Sequence, residues 1–280
     1  MTSPHGVARV CAVIGHPAHH SLSPAMHRAA YAALGLGWDY QAHDVLPEEL
    51  DGFVRGLDRR WRGLSVTMPH KEAIIAFGTP DGVVTLVGAA NTLVLSESPT
   101  VHNTDVAGVV NAVRLRREAV DTAVIIGNGA TARSALVGVQ MLGAHRVVVL
   151  ARRPERAGAM VDLGRQVGVE VEVLPLDDTP PTSDPLVSTI PAAGIDEHAD
   201  RLAATSDLLF DAVYDPWPTP LGVAAGRARK PILSGLHLLA GQAVDQVRLM
   251  TGLGIDLQTL LAAGQAELAR RSPTSTGGEV

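Results

Sequence analysis

Residues 124–136 constrain this chain more than any other stretch. An apolar run, Val124-Ile125-Ile126, enters Gly127-x-Gly129-x-x-Ala132 and continues into small residues with helical character. Glycines at a strand end let the backbone N–H groups of Gly127, Asn128, Gly129, Ala130 and Thr131 approach a pyrophosphate. The positive end of the following helix then faces the phosphate charge. Ala132 in the third position keeps helix and strand in tight contact. The pattern predicts the strand–turn–helix unit of a Rossmann-like domain. A second strand, 146–150, runs into Ala151-Arg152-Arg153. Chains that bind NAD place a carboxylate at this point for the ribose 2′-hydroxyl, whereas arginines there pair with the 2′-phosphate of NADP. Both arginines also suit the solvated start of a helix over 154–166, and Arg152 is the more informative of the two.

A length of 280 residues suits one large domain or two of ordinary size. Hydrophobic residues make up 46% and aromatics only 3%, so the cores rely on Ala, Val and Leu. That composition favours helices on parallel sheets over an aromatic-rich β-sandwich. The net charge of −6, without a long basic run, argues against a nucleic-acid partner. Cys11, the single cysteine, excludes an internal disulfide framework and points to a reducing compartment. No apolar run reaches the length of a membrane span. The first residues lack a basic segment followed by an apolar one, so a cytoplasmic protein is expected.

Strand and helix patterns alternate along nearly the whole chain. Strands are expected at 7–14, 38–45, 62–66, 90–95, 146–150, 169–174, 185–189 and 208–213. Helices are expected at 24–34, 47–58, 69–77, 81–88, 105–117, 154–166, 235–251 and 257–270. Residues 177–184, rich in Pro, Asp and Thr, read as a loop, and 272–280 as a disordered tail. The dinucleotide unit begins near residue 121, too late to include the first hundred residues. Those residues form an α/β unit of their own, and a cleft between two domains favours a ligand.

Several polar clusters lie outside the glycine-rich unit. Ser21 and Ser23 flank Leu22 before a helix that starts with Pro24, where they can hold a small carboxylate or serve as an N-cap. Ser65-Val66-Thr67-Met68-Pro69-His70-Lys71 sets two hydroxyls and a lysine around a proline-started helix. A lysine in a first helical turn opposes the helix dipole, although a solvated surface lysine accounts for it as well. Asn91 opens a strand, and Asp105 opens a helix, where N-capping is the simplest local role. A Lys and an Asp brought together can pass a proton during alcohol oxidation. Gln242 lies on a largely apolar helix face, at the solvent edge or facing a ligand. His16, His19 and His20 are spaced as on a helix, but Pro17 interrupts it and no further ligand completes a metal set; no metal is expected.

Together these clusters resemble the shikimate dehydrogenase family over about residues 8–270. Val13-Ile14-Gly15-His16-Pro17 leading to His20-Ser21-Leu22-Ser23-Pro24-Ala25-Met26-His27 is similar to its opening signature. Ser65-Val66-Thr67-Met68-Pro69-His70-Lys71 resembles its Asn-Val-Thr-x-Pro-x-Lys motif. Gly88-Ala89-Ala90-Asn91-Thr92 and Asn103-Thr104-Asp105-x-x-Gly108 match the next two. Asp211-Ala212-Val213-Tyr214-Asp215-Pro216 with Thr219-Pro220-Leu221, and Gly235-Leu236-x-x-Leu239-x-x-Gln242, match the last two.

The resemblance implies an α/β fold of two domains: a substrate-binding and catalytic domain over 1–105, completed by C-terminal helices at about 238–271, and a Rossmann-like NADP-binding domain over 106–237. It implies reversible, NADP-dependent hydride transfer between shikimate and 3-dehydroshikimate in aromatic amino-acid biosynthesis, by a monomer or homodimer. Ser21, Ser23 and Tyr214 are then expected to hold the substrate carboxylate, and Thr67, Asn91 and Gln242 the ring hydroxyls. Lys71 and Asp105 become the catalytic pair. Thr189 and Gly235 join the glycine-rich turn, Arg152 and Arg153 on the cofactor side.

The chain departs from the family pattern at Ser65, in place of Asn, and at Ala130, in place of a third glycine. Ala151 and Ser188 each stand where the family carries Asn. A relative acting on quinate or an aminoshikimate-type compound is the alternative within the same enzyme class, and a non-catalytic NADP-binding sensor the alternative outside it. Retention of both Lys71 and Asp105 argues against the sensor.

Overall fold

The computed structural model of the chain describes residues 9–271. In the first of its two six-stranded sheets, β1 (Val10–Gly15) lies between β2 (Asp39–Asp44) and β3 (Trp61–Val66), all parallel. Short strands β4 (Thr79–Pro80), β5 (Thr92–Val94) and β6 (Thr100–His102) extend it in the order β2-β1-β3-β5-β6-β4, with β5 antiparallel to both neighbours. Along β1, Ala12 and Ile14 pack with Leu64, Val66 and Leu93, while Cys11 and Val13 pack with Tyr31 and Tyr40 on the other face. Burial on both faces is why this strand reads as a continuous apolar run. Helices α1 (Ser23–Ala33), α2 (Leu50–Arg55) and α3 (Gly82–Val87) connect these strands. Asp81 caps α3, accepting from the Val84 N–H at 2.7 Å.

Helix α4 (Asp105–Arg114) leads into a second, wholly parallel sheet. Its strands are β7 (Thr122–Ile126), β8 (Arg146–Ala151), β9 (Glu170–Pro175), β10 (Leu186–Ser188), β11 (Leu209–Asp211) and β12 (Ile232–Leu233), in the order β12-β11-β10-β7-β8-β9. Helices α5 (Ala130–Met141), α6 (Gly158–Val167), α7 (Ala199–Ala204) and α8 (Pro220–Ala228) link them. Ile125 and Val147 face the core under α4 and α5, whereas Val124, Ile126 and Leu150 face the core under α7 and α8. The strand order reverses between β7 and β10. Ligands of such sheets bind outside the carboxyl ends of the strands at this point, which here are Gly127 and Thr189.

The last two helices, α9 (Gly235–Thr251) and α10 (Leu257–Arg271), return to α1. Leu22, Met26 and Ala30 share a core with Leu236, Ala240, Val247 and Leu260, and full burial of a residue such as Leu260 stabilises by about 2–3 kcal/mol. Helix α9 also crosses α4 at two glycines. A Cβ on Gly108 would lie 3.0 Å from the Gln242 nitrogen and the Leu238 oxygen, and one on Gly241 would lie 2.7 Å from the Gly108 oxygen. Only glycine permits this approach, which brings the first residue of α4, Asp105, beside Gln242.

The sequence pattern and the fold differ in places. The helix expected over 69–77 is a turn followed by a 3-10 stretch, Ala73–Phe77. The His70 ring is drawn inward to the Val45 carbonyl at 2.7 Å, and the Lys71 carbonyl accepts from Ala90 N–H at 2.7 Å instead of from a helical turn. Lys71 therefore meets no opposing helix dipole. The helices expected over 47–58 and 154–166 each begin as 3-10 turns, Pro47–Glu49 and Pro154–Arg156. Strands β4, β6 and β12 and helices α7 and α8 lack a pattern that we read, although Thr219 before Pro220 is a cap signal, and its hydroxyl accepts from Gly222 N–H at 3.1 Å. Residues 7, 8 and the tail at 272–280 lie outside the described residues. Among the described residues no helix is long and apolar enough to cross a membrane.

Candidate active site

Lys71 and Asp105 meet. The Lys71 ammonium donates to Asp105 Oδ2, with the lysine side chain 15% exposed and the aspartate 3%. Asp105 is not the cap of α4: Asn103 Oδ1 accepts from the Val106 N–H at 3.2 Å, and Asn103 is itself fixed to the Ala89 carbonyl at 2.9 Å. Asp105 is thereby left free to face the lysine. Its other oxygen accepts from Asn91 Nδ2 at 2.9 Å, so both carboxylate oxygens are satisfied, as a buried charge requires. An ammonium has three donors, and the pair lines a cavity of about 220 Å³. A ligand oxygen at this wall can meet a proton donor and an acceptor together.

Ser21, Ser23, Thr67, Tyr214 and Gln242 line the same cavity, and so do Thr131 and Gly235, which the resemblance assigns to the cofactor side. Asn91 stands behind the wall and also donates to Gln242 Oε1 at 2.6 Å. Of the two serines, Ser21 is the one that bonds the helix start. Ser23 is the first residue of α1, and the Ser21 hydroxyl accepts from its N–H at 3.2 Å. Burial pushes the Tyr214 pKa up, opposed first by the charge of Arg271. Asp211 anchors the loop that carries Tyr214, accepting from Thr219 Oγ1 at 2.7 Å and Val213 N–H at 3.2 Å.

Under the cavity lies a polar network that the sequence reading missed. Tyr40 donates to Ser65 Oγ at 2.6 Å, and Ser65 donates to Gln246 Oε1 at 2.9 Å. Gln246 Nε2 donates to the Asn91 carbonyl at 3.2 Å and to Thr92 Oγ1 at 3.1 Å. His27 Nε2 reaches Gln246 Oε1 at 3.3 Å, and its Nδ1 lies 3.5 Å from the Tyr31 hydroxyl. Because Gln246 offers its oxygen, His27 carries its proton on Nε2. Burial pushes the His27 pKa down to about 4, with the Gln246 bond opposing. Gln246 follows Gln242 by one helical turn, and that i, i+4 spacing is the signal that could have found it.

On the second sheet, Gly127 has φ +111°, and a Cβ there would sit 2.5 Å from Thr189 Oγ1. Thr189 Oγ1 donates to the Ile126 carbonyl at 2.7 Å. Helix α5 starts without a side-chain cap or an acidic residue in its first turn, and a Cβ on Gly129 would meet nothing within 4 Å. Its first N–H groups are thus open to an anion. Ala130 is its first residue, and Ala132 is fully buried between helix and sheet. A cavity of about 180 Å³ beside this turn is lined by Gly127, Asn128, Arg152, Arg153, Arg156 and Ile190. Arg156 went unread in the sequence; Asn128 Nδ2 holds its carbonyl at 3.1 Å. A positive-φ glycine, an uncapped helix start and three arginines with no carboxylate on the lining fit a dinucleotide carrying a phosphate on its ribose. Thr131 touches the Lys71 cavity, so the segment from Gly127 to Thr131 reaches both.

Residues 13–93 match the model of the family described as shikimate dehydrogenase substrate binding domain. The chain is 33% identical over 262 residues to the shikimate dehydrogenase (NADP(+)) of Methanothermobacter thermautotrophicus, covering 88% of this chain and 92% of that one. It superposes on the crystal structure of Mycobacterium tuberculosis shikimate dehydrogenase with a TM-score of 0.87 at 40% identity, covering 92% and 99% of the two chains. The Thermus thermophilus shikimate 5-dehydrogenase, solved in complex with NADP(H) and shikimate, gives a TM-score of 0.79 at 29% identity, with 92% and 99% covered.

Proposed function

The chain belongs to the shikimate dehydrogenase family, and from that premise we propose the chemistry of its cleft. It is an NADP-dependent shikimate dehydrogenase that interconverts shikimate and 3-dehydroshikimate. One observation carries the assignment of the site: Lys71 and Asp105 touch at the wall of a cavity that also contains Ser21, Tyr214 and Thr131.

The hydroxyls of Ser21, Ser23 and Tyr214 bind the substrate carboxylate at one end of the cavity. Thr67 and Gln242 hold ring hydroxyls, and Asn91 orients both Gln242 and Asp105 from behind. When bound, NADP supplies the hydride acceptor and, in its reduced form, the donor. Gly127, Asn128, Gly129, Ala130 and Thr131 hold its pyrophosphate at the start of α5, with Ala132 seating the helix and Thr189 backing Gly127. Arg152, Arg153 and Arg156 hold the 2′-phosphate. In oxidation the Lys71–Asp105 pair takes the proton leaving the substrate hydroxyl; in reduction it returns that proton to the carbonyl oxygen. Gly235 brings α9 hard against the Ala212 carbonyl, 2.1 Å from where its Cβ would be, and so sets Leu238, Leu239 and Gln242 along the cavity.

The two units divide as 1–105 with 238–271, and 106–237. The two sheets and the packing of α9 and α10 on α1 support that division. The enzyme serves aromatic amino-acid biosynthesis in the cytoplasm, as a monomer or homodimer. Initial rates with shikimate and quinate, each paired with NADP⁺ and NAD⁺, test the assignment. Turnover confined to shikimate with NADP⁺ is expected. Preferred turnover of quinate moves the chain to the quinate-acting alternative within the same enzyme class, and silence in all four assays overturns the substrate.

A further inference from the structure

The loop carrying Ser21 and Ser23 is gripped from a distant part of the chain. Arg271, the last residue of α10, donates from Nη1 to the His20 carbonyl at 2.7 Å and from Nη2 to the Ser21 carbonyl at 3.1 Å. Its Nε donates to Glu267 Oε1 at 2.7 Å, which aligns the planar guanidinium. In a trans peptide the C=O and the next N–H point opposite ways. The Ser21 carbonyl is turned to Arg271, so the Leu22 N–H of the same peptide faces away from it. The Ser21 hydroxyl, which accepts from the Ser23 N–H at 3.2 Å, belongs to the same gripped segment.

The charges point the same way. Lys71 and Asp105 at the cavity wall neutralise each other, so the hydroxyls at the other end lack a fixed cation of their own. Glu267 is shared between Arg270 and Arg271, which leaves the cluster behind the loop with one net positive charge.

We propose that Arg271 is a positioning residue for the substrate carboxylate: its fork on the His20 and Ser21 carbonyls sets the Ser21 and Ser23 hydroxyls and places positive potential behind them and the Tyr214 hydroxyl. The proposal rests on assigning those hydroxyls to the carboxylate.

Kinetics of Arg271→Ala and Arg271→Lys at saturating NADP⁺, with shikimate and with its uncharged methyl ester, test it. Loss of two charge-assisted bonds and the charge should raise KM for shikimate about tenfold in Arg271→Ala. The value of kcat and KM for NADP⁺ should stay within about twofold. Arg271→Lys, which keeps the charge without the fork, should recover part of the loss. With the ester, for which the wild type should already show a raised KM, Arg271→Ala should change little. An unchanged shikimate KM overturns the proposal, and so does an equal loss for acid and ester, which would mark a structural role only. A wild-type enzyme that treats acid and ester alike removes the carboxylate assignment itself, and the proposal with it.

Discussion

Lowering the pH from 7.5 to 5 should weaken the fold through His27, by an amount that follows from its surroundings. His27 is fully buried between Tyr31, Tyr40 and Gln246, with its ring stacked on Tyr40 at 4.1 Å. Burial holds its pKa at about 4 in the folded chain, against 6.5 for an unperturbed histidine. Below pH 6.5 the unfolded chain takes up a proton that the folded chain refuses, so stability falls with falling pH. The contribution is complete above about pH 6.5 and is lost progressively toward pH 4. For a shift of that size the loss between pH 7.5 and 5 is about 2 kcal/mol. Urea denaturation of the wild type and of His27→Asn at several pH values isolates this amount, because all other titrating groups are shared. The wild type should lose about 2 kcal/mol more than the variant over this range. If the two lose stability in parallel, the fold admits a protonated His27 and burial does not hold its pKa down.

Two further substitutions probe the chemistry and its scaffold. Lys71→Ala should lower kcat by about 10²–10⁴ while shifting KM for shikimate much less; steady-state kinetics showing a raised KM with kcat intact would assign Lys71 to binding alone. Gly108→Ala should cost about 1–3 kcal/mol of stability by pushing α4 from α9. It should also lower kcat, because Asp105 and Gln242 ride on those helices; melting and rate measurements that match the wild type would refute the close-contact argument.

Where a residue's role follows from its neighbours in sequence, the chain could be read directly. The strand running into Gly127 is apolar on both faces because both faces are covered. Where the role is fixed by distant partners, local reading went astray. Asp105 has the chemistry of an N-cap, but Asn103 takes the cap because its amide is already anchored on Ala89. Ser21 and Ser23 read alike as cap candidates, yet it is Ser21 that bonds the helix start. Gln246 is an amide on an apolar stripe, and nothing local reveals that Ser65, His27 and the Asn91 carbonyl converge on it. Arg156 and Arg271 resemble ordinary solvated arginines until tertiary structure brings one to the glycine-rich turn and the other to the Ser21 carbonyl.

The uneven distribution of the departures from the family pattern has a physical cause. A phosphate is bound largely by backbone N–H groups, which a change of side chain leaves in place provided that the backbone conformation is allowed. Ala130 begins a helix, and among the described residues Arg229 is the one non-glycine residue with positive φ, so a glycine at 130 is dispensable. Gly127, at φ +111° and hard against Thr189, is not. The substrate end works through side chains, where each hydroxyl and amide has a particular partner. Ser65 is the departure there, and the fold compensates for it: Tyr40 donates to its oxygen, its own hydrogen goes to Gln246, and the shorter residue is tied into a buried network. With its single hydrogen committed, Ser65 faces the cavity as a hydrogen-bond acceptor, whereas an asparagine amide could also donate. That polarity suits a donor in the cavity and not a second acceptor.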